Sequence, residues 1–209
     1  MKVCYMTKYM VTEVSSVHLQ AFKGAMNTRL GKTCVRKFLD WFVQSEGGIA
    51  LVAILKTGGN EQIVGYVVGA PEGYGKAMNR DLFWVAGRNI IIRPWLLLSN
   101  QFRTTIKARL IAFFKRPHDQ VSQINLTAPV MSLVGLAVMP NQQGQNIGKE
   151  LLLAFEKQAR DLRMRSLRMS VYPENSAARH AYEKCAWVPC ESPVSPGKAM
   201  TYYKTLKYQ

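Results

Sequence analysis

Acidic residues are scarce in this chain, with 13 Asp and Glu against 28 Lys and Arg among 209 residues, so the formal net charge is +15. A positive field of this size favours anionic partners such as nucleic acid, phosphorylated cofactors, nucleotide sugars or acidic lipid. The positive charge is spread along the chain rather than gathered in one arm, so nucleic acid is not the partner that we expect.

Histidine and cysteine are scarcer still, at 3 and 4 residues, and the cysteine spacings match no zinc or redox motif. We therefore expect reduced thiols and no bound metal.

Long hydrophobic runs are also missing. The first ten residues, MKVCYMTKYM, hold no apolar run of the length of a signal peptide. The most apolar segment, residues 89–102, is interrupted by Arg93 and Pro94 and is too short to span a bilayer. We expect a cytoplasmic protein, with contact to a membrane surface through residues 89–116 as an alternative.

A folded core is expected instead, because 48% of the residues are hydrophobic and 20% are charged. The periodicity predicts a mixed α/β chain that forms one domain over residues 1–209. The predicted helices are 11–24, 32–43, 147–162 and 175–184. The predicted strands are 2–6, 49–55, 62–70, 129–138 and 166–172, followed by two short closing strands around the loop 192–198.

Residues 73–125 differ from the rest because they are rich in Lys and Arg. Their apolar residues repeat at helical spacing, at Leu98, Phe102, Ile106, Leu110 and Phe113. This predicts a basic helical insertion between the third and fourth strands. Its apolar face either packs on the domain with its charges solvated, forms a lid over an anionic substrate, or contacts a membrane or a partner.

A polar loop with two glycines follows the strand that ends near Val138. It is not a nucleoside-triphosphate loop, because only three residues separate Gly144 from Gly148 and Glu150 stands where a hydroxyl is needed after Lys149. The loop opens a helix, and amide groups at the positive end of a helix suit a pyrophosphate without metal. On the loop alone, a phosphate cradle and a plain helix cap stay open.

A second group of residues lies downstream on a short predicted helix. Asn175, Ala178 and Tyr182 occupy positions 0, +3 and +7, which places them along one helical face. Asn175 is a suitable N-cap, Ala178 is small enough for the close approach of a ligand, and Tyr182 brings a hydroxyl to the same line. The structural alternative is a cap, a filler residue and a core tyrosine.

The two segments LAVMPNQQGQNIGKELL and VYPENSAARHAYEKCAWVP together resemble the Gcn5-related N-acetyltransferase (GNAT) superfamily in order and spacing. The resemblance departs from the usual pattern at three places. Asn146 replaces the first motif glycine, Ala186–Trp187 replaces Gly–Phe, and residues 131–134 lack the acid often present near the acceptor. Asparagine tolerates left-handed backbone, so the turn is expected to survive. The segments HLQAFKGAMNTRLG and GYVVGAPEGY also resemble a bacterial subgroup associated with surface-glycan gene clusters.

The resemblance implies a mostly antiparallel, twisted central sheet flanked by helices, with acetyl-CoA as donor and a primary amine as acceptor. It implies that the strand presents backbone groups to the pantetheine arm and the acetyl carbonyl, that the loop amides cradle the pyrophosphate, and that Asn175 and Ala178 line the pantetheine arm. Tyr182 would protonate the departing thiolate, a mildly uphill transfer between groups with pKa values of about 10 and about 8.5. The strand and loop residues so implicated are Leu136, Ala137, Val138, Gln143, Gly144, Gln145, Asn146, Ile147, Gly148 and Lys149.

The base that deprotonates the amine is not specified by this pattern. The candidates are His18, Glu72, His118, Asp119 and Glu174. His18 and Glu72 are preferred because they lie in the segments that resemble the glycan-associated subgroup, and a water relay without a dedicated base is the alternative.

The leading functional hypothesis is a small-molecule N-acetyltransferase (EC 2.3.1.-) that acts by direct attack in a ternary complex on an amino sugar or nucleotide amino sugar, with an anionic acceptor favoured by the positive charge. An alternative enzyme is a protein N-terminal or lysine acetyltransferase. The non-enzyme alternatives are an acyl-CoA-binding regulatory module and a basic module that binds nucleic acid or a membrane surface. The oligomeric state is open, with a dimer as one option.

Overall fold

A single twisted sheet organises the described part of the chain. The computed structural model describes residues 1–23, 26–82, 126–190 and 199–208. Within these ranges seven strands lie in the order β1-β2-β3-β4-β5-β7-β6, and all neighbours are antiparallel except β4 and β5. The strands are β1 (Lys2–Tyr5), β2 (Ile49–Thr57), β3 (Asn60–Pro71), β4 (Val130–Val138), β5 (Ser166–Val171), β6 (Val188–Pro189) and β7 (Met200–Thr205). The expected mixed, mostly antiparallel fold is confirmed.

Helices cover both faces of this sheet. On one face, α1 (Val11–Ala21), the short α2 (Met26–Arg29) and α3 (Lys32–Gln44) accompany a core cluster that includes Phe38 and Tyr66. On the other face, α4 (Ile147–Asp161) and α5 (Ser176–Lys184) accompany a second cluster that includes Phe155 and Tyr182. The amphipathic stripes of these helices explain the layers, since each helix buries its apolar side on the sheet.

The position of α4 depends on a glycine in β3. An ideal Cβ on Gly69 would lie 2.5 Å from Phe155 Cε2 and 2.6 Å from Ser132 O, so any side chain there would displace the ring or the neighbouring strand. The missing side chain lets the fully buried Phe155 lie directly on β3. The close contact brings α4 down onto the centre of the sheet.

The predicted strands and helices are present with small changes at their ends, and the short helix α2 was not predicted. The hairpin of β2 and β3 turns through Gly58 and Gly59, both with positive φ, as the turn chemistry predicts. The second predicted helix ends at Gln44, and the first predicted helix ends at Ala21. In the predicted insertion 73–125, residues 74–82 are helical, whereas residues 83–125, with the predicted apolar repeat and the membrane-contact segment 89–116, lie outside the described residues. None of the described helices combines the length and apolar character needed to cross a membrane.

Candidate functional site

A gap between β4 and β5 is the main opening in the sheet. The two parallel strands pair only from Val130↔Ser166 to Ser132↔Arg168. β4 continues to Val138 and β5 to Val171 without further pairing between them. Six residues of β4, 133–138, therefore have no β5 partner on that side, and their edge can receive an extended ligand as an added strand does.

A β-bulge sits in β4 at the start of this gap. The register passes from Val68↔Gly135 to Gly69↔Leu133, which leaves Val134 as the extra residue. The Met139 N–H donates to Val64 O, so by the two-residue alternation Ala137 also faces β3. The backbone groups of Leu136 and Val138 then face the gap. The N–H of Leu136 therefore points to the gap, whereas that of Ala137 points to β3.

The polar loop lies at the end of β4 and leads into α4. Gln143 donates from its side-chain amide to Val138 O at 3.2 Å, which ties the loop to the end of the strand. Asn146 has φ 61 and ψ 6, a left-handed turn, and Gly144 has φ 80. The structure confirms that asparagine holds the turn in place of the motif glycine. Residues 143–146 and Lys149 are exposed, and by helix geometry the first amide groups of α4 have no partner within the helix.

Substitution at Asn146 tests the turn. Asn146→Gly should leave the acetyl-CoA dissociation constant within about threefold, because both residues tolerate this conformation. Asn146→Val should lower the free energy of unfolding by about 1–2 kcal/mol and weaken binding about tenfold, since the native turn becomes strained. Urea unfolding and calorimetry measure the two effects.

Arg163, just beyond the C-terminal end of α4, offers a matched control because its φ is 60 and it is exposed. Arg163→Val should cost similar stability and leave acetyl-CoA affinity unchanged. A tenfold gain in affinity for Asn146→Gly would show instead that the natural loop is a compromised site.

The short helix α5 carries the second predicted group. Asn175 is its N-cap, with Oδ1 accepting from the Ala178 N–H at 3.2 Å, as predicted. This leaves the Asn175 side-chain NH₂ as a donor for a ligand. Tyr182 and Val138 belong to one core cluster, and Ala178 and Leu136 pack against that cluster. The structure thus brings α5, the end of β4 and the start of α4 together on one face of the sheet.

Tyr182 is 8% exposed, and burial raises its pKa to about 12. Its hydroxyl makes no hydrogen bond within the described ranges, yet it is not among their buried, unpartnered polar atoms, so it retains some contact with solvent. Tyr182 is therefore protonated at neutral pH and can donate. The proton transfer to a free thiolate is more steeply uphill than the ordinary tyrosine pKa predicts. Burial beside Tyr182 would also raise the pKa of the coenzyme A thiol, so the two pKa values would differ by less.

The turn after α5 is held by a buried polar network that the sequence did not reveal. Ala186 has φ 58, the left-handed conformation for which the family pattern has glycine. The next residue, Trp187, donates from its indole nitrogen to Glu156 Oε1 at 2.8 Å. Lys204 Nζ contacts Glu156 Oε2 at 2.7 Å and Cys185 O at 2.7 Å. The amides of Cys185 and Trp187 both donate to Tyr182 O, so the network fixes the backbone of Tyr182.

His18 lies on the other side of the sheet, inside the core. It is 5% exposed, its Nδ1 is 2.5 Å from Tyr66 Oη, and its ring lies 4.9 Å from the Phe22 ring. Burial lowers the pKa of His18 to about 4 and raises that of Tyr66, so both are neutral at physiological pH. This geometry gives His18 a structural role and does not support it as the base.

A pH-dependent stability follows from His18. Its pKa is lowered from 6.5 to about 4, so below pH 6.5 the unfolded chain takes up a proton that the folded chain does not. Stability therefore falls as the pH drops from 6.5 towards 4, by about 3 kcal/mol. Urea unfolding of His18→Asn, which can still accept from Tyr66, should lack this component. Parallel pH profiles for the two proteins would contradict the assignment.

Glu72 lies immediately beyond the end of β3 and is partly exposed. Its Oε1 accepts from Arg168 Nη1 at 2.7 Å, and Arg168 Nε donates to Ser132 Oγ at 3.1 Å. Glu174 is exposed beside the N-cap of α5, and the candidates His118 and Asp119 lie outside the described residues. No group of three or more metal-ligating side chains is found in the described ranges.

Comparison with known proteins agrees with this geometry. The model of the Acetyltransferase (GNAT) family matches residues 105–187, whereas no curated protein matches the chain. Among solved structures, the ribosomal-protein-alanine N-acetyltransferase from Brucella melitensis has a TM-score of 0.59 at 15% identity, covering 99% of this chain and 100% of that one. The PaiA N-acetyltransferase from Thermoplasma acidophilum, solved in complex with coenzyme A, has a TM-score of 0.55 at 11% identity, covering 98% of each chain.

At sequence identities this low, the structural similarity shows a shared fold and no more. The described part of the chain has the GNAT fold, a seven-stranded, mostly antiparallel sheet flanked by helices. The segment that matches the family model, residues 105–187, contains both the polar loop and α5. GNAT enzymes use acetyl-CoA as the acetyl donor. The chain thus resembles the GNAT family in sequence over residues 105–187 and in fold over nearly its whole length.

Proposed function

We propose that this chain is an acetyl-CoA-dependent N-acetyltransferase (EC 2.3.1.-) that acetylates a primary amine by direct attack in a ternary complex. The observation that carries the proposal is the gap between β4 and β5, which begins after Ser132↔Arg168. The loop 143–148 adjoins one end of the gap, and Tyr182 shares the core cluster beside it. Acetyl-CoA would supply the acetyl group as a thioester.

Residues of the loop and of β4 would hold the cofactor. The amide groups of residues 143–148 suit a pyrophosphate, with the exposed ammonium of Lys149 as a helper. The gap-facing backbone groups of Leu136 and Val138 would pair with the pantetheine amides. Asn175 would donate its side-chain NH₂ to the same arm, and Ala178 would leave room for it.

Two groups would act on the reacting atoms. The Leu136 N–H would stabilise the oxyanion that develops on the acetyl carbonyl. The Tyr182 hydroxyl would give its proton to the departing sulfur and recover one from solvent or from the amine. Glu72 would take the proton of the amine, because its exposed carboxylate lies beside the gap.

The acceptor is a small amine with anionic character, and an amino sugar or nucleotide amino sugar of the surface-glycan class fits this description. The net charge of +15 supports an anionic acceptor. The single-domain organisation with an insertion at 73–125, the cytoplasmic location, the membrane contact and the dimer stay predictions.

An acceptor screen tests the proposal. Release of coenzyme A from acetyl-CoA is measured with amino sugars, nucleotide amino sugars, amino acids and peptides with free N-termini or lysines. Turnover with small amines supports the proposal, and turnover confined to peptides favours a protein acetyltransferase. Tight acetyl-CoA binding without any turnover favours a regulatory module. Absence of acetyl-CoA binding, with strongly salt-dependent DNA binding, favours the basic binding module.

A further inference from the structure

An ion pair lies at the point where β4 and β5 separate. Arg168 contacts Glu72 Oε1 through Nη1 at 2.7 Å and Ser132 Oγ through Nε at 3.1 Å. Ser132 and Arg168 are also the last paired residues before the gap. The bulge at Val134 follows two residues later in β4. The pair is therefore placed by the same local geometry that opens the gap.

The pair faces away from the helices proposed to hold the cofactor. Met131 and Leu133 of β4 belong to the core cluster beneath α4 and α5, as do Leu167 and Met169 of β5. Side chains alternate along a strand, so those of Ser132 and Arg168 point to the opposite face. A cofactor in the gap is held from one face, and an amine that meets its acetyl group from the other face arrives beside Arg168.

Each member of the pair retains unused hydrogen-bonding capacity. Among the described residues, no hydrogen bond engages Arg168 Nη2 or Glu72 Oε2. The side chains are accessible, at 27% exposure for Arg168 and 48% for Glu72. One negative and one positive group side by side form a dipole with almost no net charge. Such a site attracts a molecule with the opposite dipole more strongly than it attracts a lone cation or a lone anion.

From this arrangement we infer an acceptor subsite for zwitterions, in which Glu72 takes the ammonium group and Arg168 takes a carboxylate or phosphate a few bonds away. The inference rests on the proposed function and narrows its substrate class. Ser132 is a positioning residue, because it holds the guanidinium through Nε without touching the acceptor. Arg168 is a specificity-determining residue, and the planar guanidinium suits both carboxylate and phosphate oxygens.

Matched amines test the subsite. Ethanolamine, L-serine and O-phosphoethanolamine share an aminoethanol core and differ in the anionic group, and glucosamine with glucosamine 6-phosphate forms a second pair. Binding of each amine to the complex with coenzyme A, which carries no acetyl group, is measured by saturation-transfer NMR, and kcat/KM is measured separately with acetyl-CoA. Wild type should prefer the anionic member of each set by about 10- to 100-fold. Comparison of L-serine with O-phosphoethanolamine shows whether the subsite prefers a carboxylate or a phosphate.

Two variants distinguish recognition from folding. Arg168→Gln should abolish the preference for the anionic amines, and Arg168→Lys should restore part of that preference because the positive charge returns. Equal use of neutral and anionic amines by wild type, or an equal loss for both in Arg168→Gln, would overturn the inference even when acetyl-CoA binds normally. If acetyl-CoA does not bind, the proposed function fails, and NMR with the free protein still decides whether zwitterions prefer this pair.

Discussion

Tyr182→Phe is expected to lower kcat by about 10²–10⁴-fold, while the dissociation constant for acetyl-CoA changes by less than about threefold. The substitution removes only the hydroxyl, so the ring stays packed against Trp187 and Tyr202, each at a centroid distance of 6.2 Å. Because the hydroxyl would act on the departing sulfur, its loss affects the chemical step more than binding. Single-turnover kinetics with a good acceptor measure the chemical step directly.

Tyr202→Phe is the matched control for this prediction. This substitution removes a hydroxyl from the same aromatic cluster, but the Tyr202 hydroxyl contacts two side chains of α5: it donates to Glu183 Oε1 at 2.6 Å and accepts from Arg179 Nε at 3.3 Å. The kcat of Tyr202→Phe should stay within about threefold of that of wild type. Equal kcat values for Tyr182→Phe and wild type would remove Tyr182 from the chemistry.

The pKa of Tyr182 adds a dependence on pH. Burial raises this pKa to about 12, so the hydroxyl stays protonated throughout the usual assay range. The rate should therefore not fall between pH 9 and pH 10.5 through loss of the tyrosine proton, as it would for an ordinary tyrosine with a pKa of about 10. A rate profile of the chemical step that bends down at pH 10 and loses this bend in Tyr182→Phe would contradict the account.

Glu156→Gln is expected to lower the free energy of unfolding by about 3–5 kcal/mol. The carboxylate side chain is 2% exposed, and it is shared by the Trp187 indole and the Lys204 ammonium. Removal of its charge leaves the Lys204 charge, on a side chain only 18% exposed, without its close partner. Arg160, 3.7 Å away and more exposed, cannot replace the lost contact because it carries the same sign as Lys204.

A double-mutant cycle with Lys204→Met measures the interaction free energy between residues 156 and 204. Since a buried ion pair replaced as a whole by apolar side chains often costs little, Glu156→Leu with Lys204→Met should be clearly more stable than the sum of the single variants predicts. Urea unfolding gives the free energies. A loss below about 1 kcal/mol for Glu156→Gln would show that the network is worth no more than a surface pair.

The local features of the site could be predicted from sequence because each depends on residues close together in the chain. The Asn175 cap and the left-handed turn at Asn146 follow from side-chain chemistry within one turn of helix. The layers of helices on the sheet follow from the periods of apolar residues. The left-handed conformation of Ala186 is a local feature as well, because Ala186 stands where the family pattern has a glycine.

The features that could not be predicted join residues far apart in the chain. Glu156 and Arg160 form the ion pair at 3.7 Å that their spacing in α4 predicts, yet the closer partners of the buried carboxylate are Trp187 and Lys204, far along the chain. Glu72 and Arg168 are 96 residues apart. The separation of β4 from β5 has no local signal either, because β4 stays apolar across the point where pairing ends. His18 was a candidate base by position, and only the structure shows that the core encloses it.

The central claim is a metal-free coenzyme A site in the gap between β4 and β5, and a crystal structure of the complex grown with EDTA tests it most directly. We expect the pyrophosphate on the amides of residues 143–148, the pantetheine arm along Leu136 and Val138, and the sulfur within hydrogen-bonding distance of the Tyr182 hydroxyl. Coenzyme A bound elsewhere, or a sulfur far from Tyr182, would contradict it.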